Sequence, residues 1–314
     1  MRLKPVGAVV AALLLPLGLS LAGGAGASVL PPQGLYESCS LQDGAETCLR
    51  RLDQMASGGF ALVVNYNQFY GSADQEVAYA KRAARDGMQV IWNFSDPAFR
   101  TGDHLLQSYP DLAKTCGCND EAGFVAYIVG LVRDLPGTWG YYIGDEVPER
   151  FAPETAALSA AIRAADPVHP QLIVGIGSTS LRTTRQHLDK FAASADVLAV
   201  DHYPVSTGQP ISSVAAVAQN VQTVATAYGK QSALVLQSFN WGEYPKETWV
   251  CTPFPTCAHF PTERQMRTMH DEALANAAPA LILWYSFFDI LRSKEPVVHW
   301  NDLVQAAGAG ALNL

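Results

Sequence analysis

Two runs, Asp196-Val197-Leu198-Ala199-Val200-Asp201 and Ser232-Ala233-Leu234-Val235-Leu236-Gln237, bracket a segment in which Val214, Val217, Val221, Val224 and Tyr228 recur at spacings of three and four before Gly229. The flanking runs are almost continuously apolar, as strands buried on both faces are, and the middle repeat has the period of one helix face. Gly229 supplies the stop. Strand, helix, strand in this order is one repeat of an α/β fold.

The same alternation extends outward in both directions. Further strands are expected at Phe60–Tyr66, Gln89–Phe94, Thr138–Gly144, Gln171–Ile176 and Ala280–Ser286, with the weakest signal at Gly34-Leu35-Tyr36-Glu37. Between them, Leu158, Ala161, Ile162 and Ala165 form a helical stripe, with Pro153 suited to its first turn. Phe124, Ile128, Leu131 and Leu135 form another, ended by Pro136-Gly137, while Ser72 with Gln75 and Thr262 with Gln265 have the spacing of capping boxes. Eight strands alternating with about eight helices predict a single (β/α)8 TIM barrel. The rival, an open doubly wound sheet, announces itself by a glycine-rich turn after its first strand, and no G-x-G-x-x-G stands there. No Pro/Gly/Ser-rich linker divides the chain, so one barrel domain is expected over 28–314.

The first residues read as an export signal, residues 1–27. Arg2 and Lys4 precede an apolar run from Val6 to Leu21, interrupted by Pro16, and Ala25-Gly26-Ala27 has the small-x-small form of a cleavage site. The expected location is therefore extracellular, with no membrane span in the mature chain. Six cysteines follow as near neighbours: Cys39/Cys48, Cys116/Cys118 and Cys251/Cys257. In an exported chain an even count reads as disulfides, and pairing within each couple would pin loops rather than staple the whole fold. Cys116-Gly117-Cys118 is the demanding pair, because one intervening residue makes a tight ring.

The formal net charge of −8, without a basic cluster, excludes nucleic acid as a partner. No His-x-His or His-Glu-x-x-His run and no Gly-x-Ser-x-Gly elbow is present, so neither a metal hydrolase nor a serine hydrolase is expected, and no cofactor. What a barrel does, it does at the C-terminal ends of its strands. Those ends here are rich in carboxylates, amides and rings: Asn65, Asn93, Asp145-Glu146, Asp201-His202-Tyr203, Gln237 and Trp284 to Asp289. That mixture suits a hydroxyl-rich sugar, which needs polar partners together with flat apolar faces. The two long inserts, Asp96–Asn119 and Asn240–Pro261, follow strand ends, where barrels place substrate loops.

Tyr141-Tyr142-Ile143-Gly144-Asp145-Glu146-Val147-Pro148 resembles the fourth-strand motif of clan A glycoside hydrolases, an Asn-Glu-Pro-like run carrying the acid/base glutamate. The resemblance puts Glu146 in that glutamate's place and Asp145 where the family usually has Asn. Tyr203 and Trp284 resemble the aromatic residues such enzymes set beside the sugar. It implies a glycosidase acting on a carbohydrate, and with the polar residues at the other strand ends the expected substrate contacts are Asn65, Asn93, Tyr203, Gln237, Trp284 and Asp289. One departure is plain: the family's nucleophilic glutamate ends strand seven, and this chain has Gln237 there, an amide. Three explanations stand open. Another carboxylate (Asp201, Glu243 or Asp289) replaces it; the enzyme inverts, using water; or the barrel only binds glycan. Asp201 is the expected second carboxylate, across the mouth from Glu146. Asp145 is the third catalytic candidate, a neighbouring charge able to raise the pKa of Glu146 as general acid. If the strand stays regular, alternation turns it to the opposite face, where it would orient a loop or helix end instead.

Overall fold

The computed structural model describes residues 30–95 and 105–308. The expected export signal and the first part of the insert after the third strand lie outside them. Eight parallel strands close into a barrel in chain order: β1 (Gln33–Glu37), β2 (Leu62–Asn65), β3 (Gln89–Asn93), β4 (Thr138–Asp145), β5 (Gln171–Ile176), β6 (Val197–His202), β7 (Gln231–Gln237) and β8 (Leu281–Tyr285). The outer layer is α1 (Leu41–Ser57), α2 (Ala73–Arg85), α5 (Glu121–Val132), α6 (Ala152–Ala165), α7 (Leu181–Leu188), α8 (Ser213–Ala227), α9 (Glu263–Asn276), α10 (Phe287–Arg292) and α11 (Pro296–Ala307). Two short helices, α3 (Leu105–Ser108) and α4 (Pro110–Cys116), lie in the first insert.

Alternation along the strands sorts the side chains into two cores. Tyr36, Leu62, Val64, Ile91, Tyr142, Leu172, Val174, Ala199, Val235 and Leu283 fill the barrel. Leu35, Val63, Trp92, Leu198, Leu236 and Trp284 face outward into the layer formed with the helices. Both sets are almost wholly buried, which is why the strand sequences read as unbroken apolar runs.

The weak sequence signal of β1 has a packing cause. A Cβ on Gly34 would stand 2.6 Å from Leu62 Cβ and 2.7 Å from Leu283 Cδ2, on the two neighbouring strands. The glycine that lowers strand propensity is what lets β1 fit between β2 and β8. Both expected capping boxes are present, Ser72 with Gln75 starting α2 and Thr262 with Gln265 starting α9. All three near-neighbour cysteine couples are disulfides, including the tight one, where Gly117 takes a left-handed φ of 64°.

Candidate active site

At the C-terminal ends of the strands lies a cleft of about 420 Å³. Its polar floor comes from two strand ends. β6 alternates Val197, Ala199 and Asp201 toward the barrel axis, so Asp201 arrives at the mouth by strand parity alone. β4 does something its sequence did not announce. Its pairing with β5 shifts register between Tyr142 and Gly144, so that Asp145 comes level with Val174. Glu146 then leaves the strand with a left-handed φ of 47°, its N–H still donating to the Val174 carbonyl at 2.9 Å. The strand does not stay regular, and of the two positions open to Asp145 it takes the one beside Glu146: bulge and turn bring both carboxylates into the cleft. A left-handed glutamate is strained backbone, and such strain collects at functional sites.

Each carboxylate has distinct surroundings. Asp145 is half-buried and accepts a hydrogen bond from the Tyr66 hydroxyl at 2.7 Å. Glu146 is exposed to the cleft. Asp201 is 6% exposed and accepts from the backbone N–H of Gly177 at 3.4 Å. Gly177 is required there, because a Cβ would stand 2.1 Å from the Asp201 carbonyl oxygen. Burial, then the charge of Glu146 and a hydrogen bond to its side chain, then the charge of Asp145, push the Asp201 carboxyl well above the usual carboxylate range. The surroundings of Asp201 therefore favour its protonated form. His202 follows it, hydrogen-bonded through Nε2 to Ser213 Oγ at 2.7 Å, and burial lowers its pKa to about 4, so its ring is neutral at physiological pH.

Rings make the walls. Tyr203 meets Phe239, Tyr285 and Trp241 at centroid distances of 5.1, 5.8 and 6.1 Å, and Tyr66 meets Tyr285 at 6.3 Å. The insert after β7 contributes Trp241, Tyr244, Glu247 and Trp249. Burial raises the hydroxyl pKa values of Tyr66, Tyr203, Tyr244 and Tyr285, keeping each a hydrogen-bond donor.

Of the six substrate contacts expected from the sequence, Tyr203 alone lines the cleft. Trp284 is fully buried on the outer face of β8, its indole N–H donating to Gln33 Oε1 at 2.8 Å and its ring stacked on His270. Its neighbour Tyr285 has the inward parity and takes the place at the cleft. Gln237 is wholly buried: its oxygen accepts from Val205 N–H at 2.8 Å, and its amide donates to the carbonyls of Val205 at 3.3 Å and Phe239 at 3.2 Å. Asn65 clamps Cys39 through its N–H and C=O, both at 2.9 Å, and Asn93 accepts from Ser95 N–H at 2.9 Å. These three amides bond to backbone groups of the loops that follow their strands or lie beside them, and none lines the cleft. Asp289 is buried at the start of α10, where it accepts from the Tyr244 hydroxyl at 2.7 Å and pairs with Arg292 at 2.6 Å. It steadies a cleft tyrosine from behind. Glu243 is exposed outside the cleft lining.

Sequence reasoning passed over Tyr66, Tyr285, Trp241, Tyr244 and Trp249. Parity counted from Val64 and Leu283 points to the first two. The other three stand in the insert already marked as a substrate loop.

No protein-family model matches the chain, and no curated protein matches it. Solved structures do resemble it. A candidate alpha-L-fucosidase from Bacteroides thetaiotaomicron superposes with a TM-score of 0.60 at 15% identity, over 93% of this chain and 99% of that one. The endo-alpha-mannosidase of the same organism gives 0.54 at 14%, over 86% and 80%. A beta-mannanase from the blue mussel Mytilus edulis gives 0.52 at 11%, over 89% and 92%. At such identities the likeness shows the fold, the (β/α)8 barrel, and activity has to be argued from the site.

Proposed function

We propose that this protein is an exported glycoside hydrolase whose reaction runs on Asp145, Glu146 and Asp201. The observation that carries the reading is the convergence of the Glu146 and Asp201 pair with Asp145 in one aromatic-walled cleft at the C-terminal ends of the strands, where burial favours the protonated form of Asp201. Cleaving a glycosidic bond requires a proton for the departing oxygen and a carboxylate facing the positive charge that grows on the sugar ring. Glu146, the exposed member, delivers the proton of the pair; buried Asp201 stores it beneath. Asp145, held by the Tyr66 hydroxyl, faces the developing charge. Water adds to the anomeric carbon, and the proton it loses restores the pair. Gln237 then presents no obstacle, since the carboxylates come from β4 and β6. The similar solved structures, a candidate fucosidase, an endo-alpha-mannosidase and a beta-mannanase among them, support the same class of reaction. Export by residues 1–27 fits the three disulfides, which persist in oxidising compartments.

The test is sugar release from a broad glycan panel by the mature protein and by Glu146→Gln and Asp201→Asn. Each variant is expected to lose about 10²–10⁴-fold in kcat while remaining folded. Undiminished release by Glu146→Gln overturns the assignment. Binding of a glycan with no release from the unmodified protein would instead favour a barrel that only binds.

A further inference from the structure

One charged group at the cleft has no part in the proposed reaction. Glu247 lies in the insert after β7, and the Trp249 indole N–H donates to its carboxylate. Trp249 is 67% exposed at the rim, and its ring meets that of Trp241 at 5.7 Å and 63°. Trp241 in turn packs on Phe239 at 4.9 Å, so the inner wall is anchored on a buried ring. Among the described residues no Lys or Arg lines the cleft, and the one lining histidine, His202, is neutral at physiological pH. A carboxylate held at the edge of one exposed indole, whose ring meets a second, is chemistry that suits an organic cation, by charge and by the ring quadrupole together. A neutral sugar stacked here would strip water from Glu247 without giving it a counter-charge. An acidic sugar would also meet the charges of Asp145 and Glu146.

Resting on the glycan reading, we propose that Glu247, Trp241 and Trp249 form a subsite for the ammonium group of an amino sugar, so that the glycan taken by this cleft carries free amines. N-acetylation removes both the charge and the fit. The short disulfide loop Cys251–Cys257 follows directly after Val250, which is itself buried, and ties down the segment that carries the subsite.

Calorimetry with a glucosamine hexasaccharide, its fully N-acetylated counterpart and a neutral glucose hexasaccharide tests this. The protein is expected to bind the free amine at least about tenfold more tightly than either of the others, a preference that weakens with added salt. Glu247→Gln is expected to abolish the preference. Equal binding of the three sugars overturns the subsite, as does a preference untouched in a folded Glu247→Gln protein; if that variant does not fold, the comparison of sugars on the unmodified protein decides. Hydrolysis of a neutral glycan without amine preference would remove the subsite and leave the hydrolase standing. Tight binding of the free amine without release from any aminated glycan would do the opposite.

Discussion

Asp201 is a carboxyl group whose fold works against its ionisation. Burial and the charge of Glu146 raise its pKa well above the ordinary value of 3.8. In the window between that ordinary value and the raised one, the unfolded chain has released a proton that the folded chain retains. Folding stability therefore falls as pH rises through the window, the reverse of a salt-bridged aspartate. Asn at this position reproduces the donor of the protonated carboxyl without its titration. Asp201→Asn is expected to melt a few degrees above the unmodified protein at pH 7, at about 2–4 °C per kcal/mol, with the gap closing as pH is lowered toward 4. Thermal melts at the two pH values check it. A gap of equal size at both would mean that the variant acts through packing and not through the proton.

Strand β8 shows what a one-residue difference in parity does. Trp284 and Tyr285 are adjacent aromatic residues at a strand end, and composition does not distinguish them. The pleat sends Trp284 out to Gln33 and His270 and Tyr285 in to the cleft. Trp284→Ala is accordingly expected to cost about 3–5 kcal/mol in urea unfolding and to leave glycan affinity unchanged at temperatures where the variant is folded. Weakened binding with stability intact would restore Trp284 to the site. β4 shows the converse, because parity carried through it from Tyr142 misplaces Asp145. The shift after Tyr142 and the left-handed turn at Glu146 depend on how β4 meets β5. Part of the local cause was in view: a Cβ on Gly144 would stand 2.8 Å from Val147 Cγ2, so the glycine permits the turn to fold tightly on itself.

Closure is a property of the whole barrel. β1 is the strand whose pairing with both β2 and β8 completes the ring, and it does so through Gly34. Gly34→Ala adds one methyl between two neighbouring strands, which is expected to destabilise the protein by about 1–3 kcal/mol or to leave it unable to fold. Equilibrium unfolding in urea reads this directly, and an unchanged midpoint would show that the interior yields more easily than the 2.6 Å approach to Leu62 implies.

The alternation of strand and helix, both capping boxes, the pairing of each cysteine couple and the convergence of Glu146 and Asp201 on one mouth were legible without coordinates. Each is set by residues near one another in the chain, or by a repeat long enough to imply closure. Tertiary structure alone decided that Asn65, Asn93 and Gln237 shape loops, that Asp289 supports Tyr244, and that Asp145 shares the cleft with Glu146. A buried amide bonds to whichever backbone groups the fold leaves beside it, and a strand's register answers to its neighbour. Those partners stand up to 45 residues away for Asp289 and 32 for Gln237, so no local pattern of residues records them.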